Sequence, residues 1–141
     1  MFKITKEVKW DAAHRLWNYE GKCSKLHGHS FRAILTFENE DLNKDGMVID
    51  FSVVKKIVQN WVNQHWDHML ILNMDDSIIG ILNKDPQYRG WIYPMEGNPT
   101  AENMAKLLFT IFRHEFLFLA GRLISVEVFE GPKSSAIYYE E

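Results

Sequence analysis

The chain has 141 residues, a natural length for one domain and short for two, so it is read as a single domain over 1–141. Hydrophobic residues at 46% and charged residues at 25% give the balance of a globular chain that can bury a core. The formal net charge of −3 argues against a basic nucleic-acid-binding surface, and even the most apolar stretch, Met104–Leu119, is cut by Lys106, Arg113, His114 and Glu115, which argues against a membrane span.

The N-terminus alternates in type and lacks the apolar block of a signal peptide, so the expected location is the cytoplasm. Phe2–Ile4 and Val8–Trp10 alternate with Lys3, Thr5, Lys9 and Asp11, the pattern of a half-buried strand. A loop over about Arg15–Leu26 leads to a second strand, in which Phe31, Ala33, Leu35 and Phe37 alternate with polar neighbours. Asn43-Lys44-Asp45-Gly46 is a turn. Val54, Ile57, Val58, Trp61 and Val62 recur at helical spacing, and Asp50 or Ser52 can cap a helix from about Phe51 to His65.

Residues 73–98 read as a long, weakly patterned connection, with Trp91-Ile92-Tyr93 as a candidate extra strand or lid. Asn98-Pro99-Thr100-Ala101-Glu102 combines a polar cap, an early proline and an acidic first turn, and predicts a second helix to about Ala120, with Gly121 at its end. Strands Leu123–Glu130 and Ser135–Tyr139 follow, joined by Gly131-Pro132-Lys133. The expected fold is α+β in the order β-β-α-α-β-β: a four-stranded antiparallel sheet with two helices on one face. Its two open edges predict oligomerisation.

His27-Gly28-His29 opens the second strand, and residues two apart on a strand project from the same face. His14 ends the first strand, where antiparallel pairing can bring it opposite the other two. Three neutral imidazoles suit zinc and leave one coordination position open. The lone Cys23, four residues before His27, has three readings. It is a thiolate base beside the metal, a fourth ligand closing a structural site, or an idle thiol. Asp67-His68 is either a carboxylate orienting an imidazole or a helix-end cap beside a solvated carboxylate. Glu130 continues an apolar stripe of Ile124, Val126 and Val128, and is either a solvated strand end or an acceptor for two parallel N–H groups. Thr100 and Glu102 serve at least to start their helix.

Taken in order, Trp10-Asp11-Ala12-Ala13-His14-Arg15-Leu16, Cys23-x-x-x-His27-Gly28-His29-Ser30-Phe31, Gly46-Met47-Val48-Ile49-Asp50-Phe51, Asp67-His68, Pro99-Thr100-Ala101-Glu102-Asn103 and Glu130 resemble the 6-pyruvoyltetrahydropterin synthase / 6-carboxytetrahydropterin synthase family over nearly the whole chain. The resemblance implies the tunnelling fold (T-fold), trimers that commonly stack as hexamers, and active sites at subunit interfaces. It implies zinc on His14, His27 and His29, Cys23 as catalytic base, and Asp67 and His68 as proton-relay partners. It further implies that Glu130 grips the pterin's amino-pyrimidine edge, with Thr100 and Glu102 near the same pocket.

The implied substrate is 7,8-dihydroneopterin triphosphate. The implied reaction releases triphosphate and acetaldehyde and leaves 6-carboxy-5,6,7,8-tetrahydropterin for 7-deazaguanine (queuosine-type) synthesis. The spacing of the Cys23 and Gly46 motifs is more similar to bacterial members than to animal ones, which favours this branch over the pyruvoyl branch. A third branch carries glutamate in place of the cysteine. The alternative outside enzymology is an oligomeric module with a structural Cys-His₃ zinc site. Arg15, Lys25 and Lys133 are candidate triphosphate contacts, and the segment 74–98, longer than in compact members, is the main departure from the family pattern.

Overall fold

The computed structural model describes residues 1–141. In chain order the elements are β1 (Phe2–His14), β2 (His27–Asn39), α1 (Phe51–His65), β3 (Leu70–Asn73), α2 (Ser77–Leu82), β4 (Ile92–Met95), α3 (Ala101–Glu115), β5 (Arg122–Glu130) and β6 (Ser134–Tyr139). They form one six-stranded sheet in the order β4-β3-β1-β2-β5-β6. The central pairs are antiparallel, whereas β3 runs parallel to both β1 and β4.

The expected four-stranded antiparallel sheet is thus extended by two strands on its β1 side. Neither carries the alternation that marks a strand in sequence. In β3, Ile71, Leu72 and Asn73 are all buried in succession, and β4 contains Pro94, which lacks the N–H that a strand interior uses. The candidate extra strand near Trp91 is real but starts at Ile92. A third, short helix, α2, also forms in this segment; Asp76 caps it by accepting from the Ile78 amide, and none of its residues is buried.

Alternation sets the two faces. Val8, Trp10, Ala12 and His14 of β1 and Phe31, Ala33, Leu35 and Phe37 of β2 are buried on one face, and α1 and α3 pack there. α1 contributes Val54, Val58 and Val62 at a four-residue spacing, and its first turn is closed by Asp50, which accepts from the Ser52 amide at 2.8 Å. α3 contributes Met104, Ala105, Leu108, Phe109 and Phe112. Together these make a 25-residue core, in which truncating a buried phenylalanine costs roughly 3–5 kcal/mol.

α3 ends at Glu115, short of the expected Ala120. Phe116 turns inward to stack edge-on against Phe37 at 4.8 Å, while Leu117 and Phe118 are left in solvent. Gly121 is therefore no helix cap. It is where the chain passes Ile49 and Val48, and a Cβ there would meet their side chains at 2.7–2.9 Å. A register shift opposite Thr36/Phe37 puts Leu123, in place of the expected Ile124, in the buried row with Val126 and Val128.

Candidate active site around a histidine cluster

β1 and β2 pair without a bulge over their full length, which sets His14 directly opposite His27 and Ala12 opposite His29. All three imidazoles leave the helix-bearing face at the end of the hairpin. Their ring centroids are 4.6 Å (His14–His27), 5.1 Å (His14–His29) and 5.0 Å (His27–His29) apart. One ring nitrogen from each lies within 4.8 Å of the others, an arrangement that could hold a metal ion.

The surrounding backbone selects the tautomers. His14 Nδ1–H donates to the Pro99 carbonyl at 2.8 Å, and His27 Nδ1–H donates to the Lys25 carbonyl at 2.7 Å. Each ring then keeps its lone pair on Nε2, and the two Nε2 atoms face each other 3.0 Å apart. Two facing lone pairs repel, and a cation between them turns the contact into attraction. A histidine ligand oriented by a carbonyl on its other nitrogen is the usual way to present imidazole to a metal. Burial pushes the His14 pKa down to about 4; His27 and His29 act in the same direction and the Pro99 carbonyl acts against it. His14, 2% exposed, is therefore neutral at ordinary pH, as a ligand must be.

A cavity of about 210 Å³ opens beside the cluster and is lined by His14, Cys23, His27, Thr100, Glu102 and Glu130, among others. Cys23 arrives there on the loop between β1 and β2, in a single 3₁₀ turn (Lys22–Ser24), and its carbonyl accepts from the Leu16 amide at 2.9 Å. The thiol is half-buried and stands outside the group of converging metal-binding atoms. Thr100 caps α3, accepting from the Asn103 amide at 3.2 Å, and so both starts the helix and walls the cavity. Glu130 lies at the end of β5 opposite Phe31, on the row of Val126 and Val128, which points it at the cavity. A larger hollow, about 810 Å³, lies at the other end of the fold between α3 and β5–β6 and contains none of these residues.

Asp67 and His68 do form a pair: Asp67 Oδ2 and His68 Nδ1 are 2.9 Å apart. Adjacent residues meet this way because His68 adopts a left-handed backbone, φ 61°, immediately after α1. Asp67 accepts from the Asp11 amide at 2.9 Å and the His68 amide donates to the Asp11 carbonyl at 2.6 Å, which holds the turn against β1. The His68 side chain, 79% exposed, borders two hollows, one shared with Lys9, Asp11, Ser30 and Arg32 and one shared with His29, Leu70 and Trp91. Within one chain, the pair and Cys23 do not share a cavity.

Arg15, one of the candidate phosphate contacts, is already engaged: its guanidinium binds Asp76 with two bonds, 2.7 and 2.5 Å. Lys25 and Lys133 are exposed, and the role found for Lys25 is the carbonyl that orients His27. Two site-building residues escaped sequence reading. Pro99 reads in the sequence as a helix-start signal and part of a family motif, with no sign that its carbonyl orients His14. Asn98 was visible only as a cap residue, yet its side chain binds the backbone of Trp17.

No helix is long and apolar enough to cross a membrane. A protein from Rickettsia conorii, 37% identical over 135 residues covering 94% of this chain and 96% of that one, is named 6-carboxy-5,6,7,8-tetrahydropterin synthase. So is one from Haemophilus influenzae, 34% identical over 147 residues covering 99% and 100%. Among solved structures, an uncharacterized protein from Wolinella succinogenes superposes with a TM-score of 0.88 at 24% identity, covering 99% of this chain and 98% of that one. The 6-pyruvoyl tetrahydropterin synthase of Plasmodium falciparum does so at 0.76 and 19% identity, covering 99% and 97%. These last two likenesses establish the T-fold. The family model described as 6-pyruvoyl tetrahydropterin synthase matches residues 3–141, and the chain belongs to that family.

Proposed function

We propose that this protein is a zinc-dependent lyase that converts 7,8-dihydroneopterin triphosphate to 6-carboxy-5,6,7,8-tetrahydropterin, releasing acetaldehyde and triphosphate, as a step towards 7-deazaguanines. The observation that carries the reading is the single cavity in which a half-buried thiol, two of the three clustered histidines and Glu130 converge. The names of the Rickettsia and Haemophilus relatives support the carboxy-forming branch.

In this reading His14, His27 and His29 hold the zinc. Their fit rests on the facing Nε2 atoms: 3.0 Å is close to the roughly 3.3 Å that tetrahedral zinc–nitrogen bonds of about 2.0–2.1 Å require. Bound there, zinc supplies a Lewis acid for the oxygens of the substrate side chain. Glu130 accepts from the exocyclic amine and the neighbouring ring N–H of the pterin, two donors at the spacing of a carboxylate. Cys23 removes the proton from the side-chain carbon next to the ring, and that electron pair moves into the adjoining ring C=N bond, whose nitrogen takes up a proton; triphosphate then leaves by elimination as the carbon beside its own gives up a proton. Thr100 and Glu102 wall the cavity and hold the ring against Glu130.

The proton return is assigned to the Asp67–His68 pair, which Cys23's own chain does not bring to this cavity. Asp67 and His68 of the partner subunit supply it when copies assemble, as a trimer-based oligomer, hexameric in its stacked form. The unpaired outer edges of β4 and β6 support such an assembly. The test is product identification. Zinc-loaded protein incubated with 7,8-dihydroneopterin triphosphate yields 6-carboxytetrahydropterin and acetaldehyde by mass spectrometry. A 6-pyruvoyl product moves the chain to the other branch, and an unchanged substrate overturns the enzymatic reading in favour of a structural zinc module.

A further inference from the structure

We propose that Asn98 is a positioning residue that locks the histidine cluster and the Cys23 loop into one rigid unit; the proposal rests on the reading of that cavity as a metal-dependent site. Asn98 lies 81 residues from Trp17, yet its side-chain amide clamps the Trp17 backbone at two points. Oδ1 accepts from the Trp17 amide at 2.8 Å, and Nδ2 donates to the Trp17 carbonyl at 3.2 Å. Oδ1 also accepts from Asn73 Nδ2 at 3.1 Å, which ties the clamp to the end of β3. The reverse amide orientation would set donor against donor at both Trp17 and Asn73, so the contacts fix which end is which.

The main chain of the same residue serves the other half of the site. The Asn98 carbonyl accepts from the Thr100 amide and from Asn103 Nδ2, each at 2.8 Å, which pins the start of α3. The next carbonyl, that of buried Pro99, receives the Nδ1–H of His14. Trp17 follows His14 by three residues in the loop whose far end, Cys23, returns to Leu16. A shift of Asn98 therefore moves the carbonyl that sets the His14 tautomer and releases the loop that presents the thiol. Asparagine alone fits. Aspartate would aim an anionic oxygen at the Trp17 carbonyl, and alanine removes all three bonds.

The experiment uses the full chain, with two variants and a matched control. Asn98→Ala and Asn98→Asp are compared with Val58→Ala, a core truncation in α1 away from the cavity, with thermal unfolding used to match the stability loss. Metal binding is read with zinc against a chromophoric chelator and with cobalt(II), whose visible bands report ligand geometry. Iodoacetamide alkylation of the metal-free protein reports the loop, since Cys23 is the chain's only thiol.

The expected result is metal affinity lowered about 10–100-fold, the range found for partners of metal ligands, with altered cobalt bands and an alkylation rate changed by about tenfold. Val58→Ala leaves both readouts at wild-type values. Equal behaviour of the Asn98 variants and the control overturns the proposal, and so does a change in alkylation alone, which reduces Asn98 to a loop anchor. If Asn98→Ala does not fold, Asn73→Ala carries the test with changes of the same sign in both readouts, and their absence overturns it equally. Wild-type protein that binds neither metal overturns the metal-dependent reading itself, a result distinct from failure of the coupling.

Discussion

Asp76 is the most informative place to perturb the fold near the site. Its carboxylate has no solvent exposure, binds the guanidinium of Arg15 at 2.7 and 2.5 Å, and accepts from the Ile78 amide at 2.9 Å to cap α2. Breaking a buried ion pair by removing one partner costs about 3–5 kcal/mol. Arg15 keeps 21% of its side chain in solvent and can relax towards water, so roughly 2–3 kcal/mol is the better figure here. Loss of the cap adds about 1 kcal/mol. Asp76→Ala should therefore lose roughly 3–4 kcal/mol in urea unfolding at pH 7. Asp76→Asn keeps the cap and should lose roughly 1–2 kcal/mol. The pH dependence has a definite sign. Burial pushes the Asp76 carboxyl up, but Arg15 and the Ile78 amide outweigh it and hold the group below its ordinary value of 3.8. A depressed carboxyl contributes stability that is present above its unfolded pKa and is lost as pH falls through the folded one. The gap between wild type and Asp76→Asn should thus hold down to about pH 4 and close below it. A loss under about 1 kcal/mol for Asp76→Ala, or a gap unchanged at pH 3, would refute the reasoning.

His27→Ala should fold without metal almost as well as wild type, because it removes one of two facing lone pairs, but zinc should no longer raise its Tm. Ligand at about 1,000 times Kd stabilises wild type by roughly 4 kcal/mol, and an equal zinc-induced shift in the variant would count against the ligand assignment. Cys23→Ala should keep its metal and lose about 10²–10⁴-fold in turnover; loss of zinc, read by elemental analysis, would make the thiol a ligand. Glu130→Gln should weaken pterin binding by roughly 1–3 kcal/mol in calorimetry with zinc content unchanged, and equal affinity would return Glu130 to a solvated strand end. Cys23→Ala and His68→Ala, each inactive alone, should recover activity when unfolded together and reassembled, since mixed oligomers contain some sites with both groups intact. A mixture as inactive as its components would place the whole site within one chain.

What was legible in the sequence followed from periodicity, and what was not followed from tertiary contacts that periodicity does not encode. α1 was bounded correctly because Asp50 caps it and Val54, Val58 and Val62 repeat at one helical face. The histidine cluster was legible because two strand residues of like parity, and a third ending the partner strand, leave little freedom about where their side chains meet. β3 was hidden and β4 was only a candidate around Trp91-Ile92-Tyr93 because a short parallel strand at a sheet margin carries no alternation, and α3 was overrun because the inward turn of Phe116 depends on Phe37, which is distant in sequence. Asp67 and His68 show the limit most clearly. Their pairing could be foreseen from a sharp turn after a helix, but not the place where the turn is held. The turn's place beside β1 is set by the Asp11 main chain, whose amide and carbonyl bind Asp67 and His68 from a strand 56 residues earlier. Held there, the pair borders the hollows that contain Arg32 and His29 but does not line the cavity that contains Cys23. The proposed reading, in which Cys23 and this pair act on one bound molecule, therefore takes the pair from a second copy, and the mixed-oligomer experiment is its direct test.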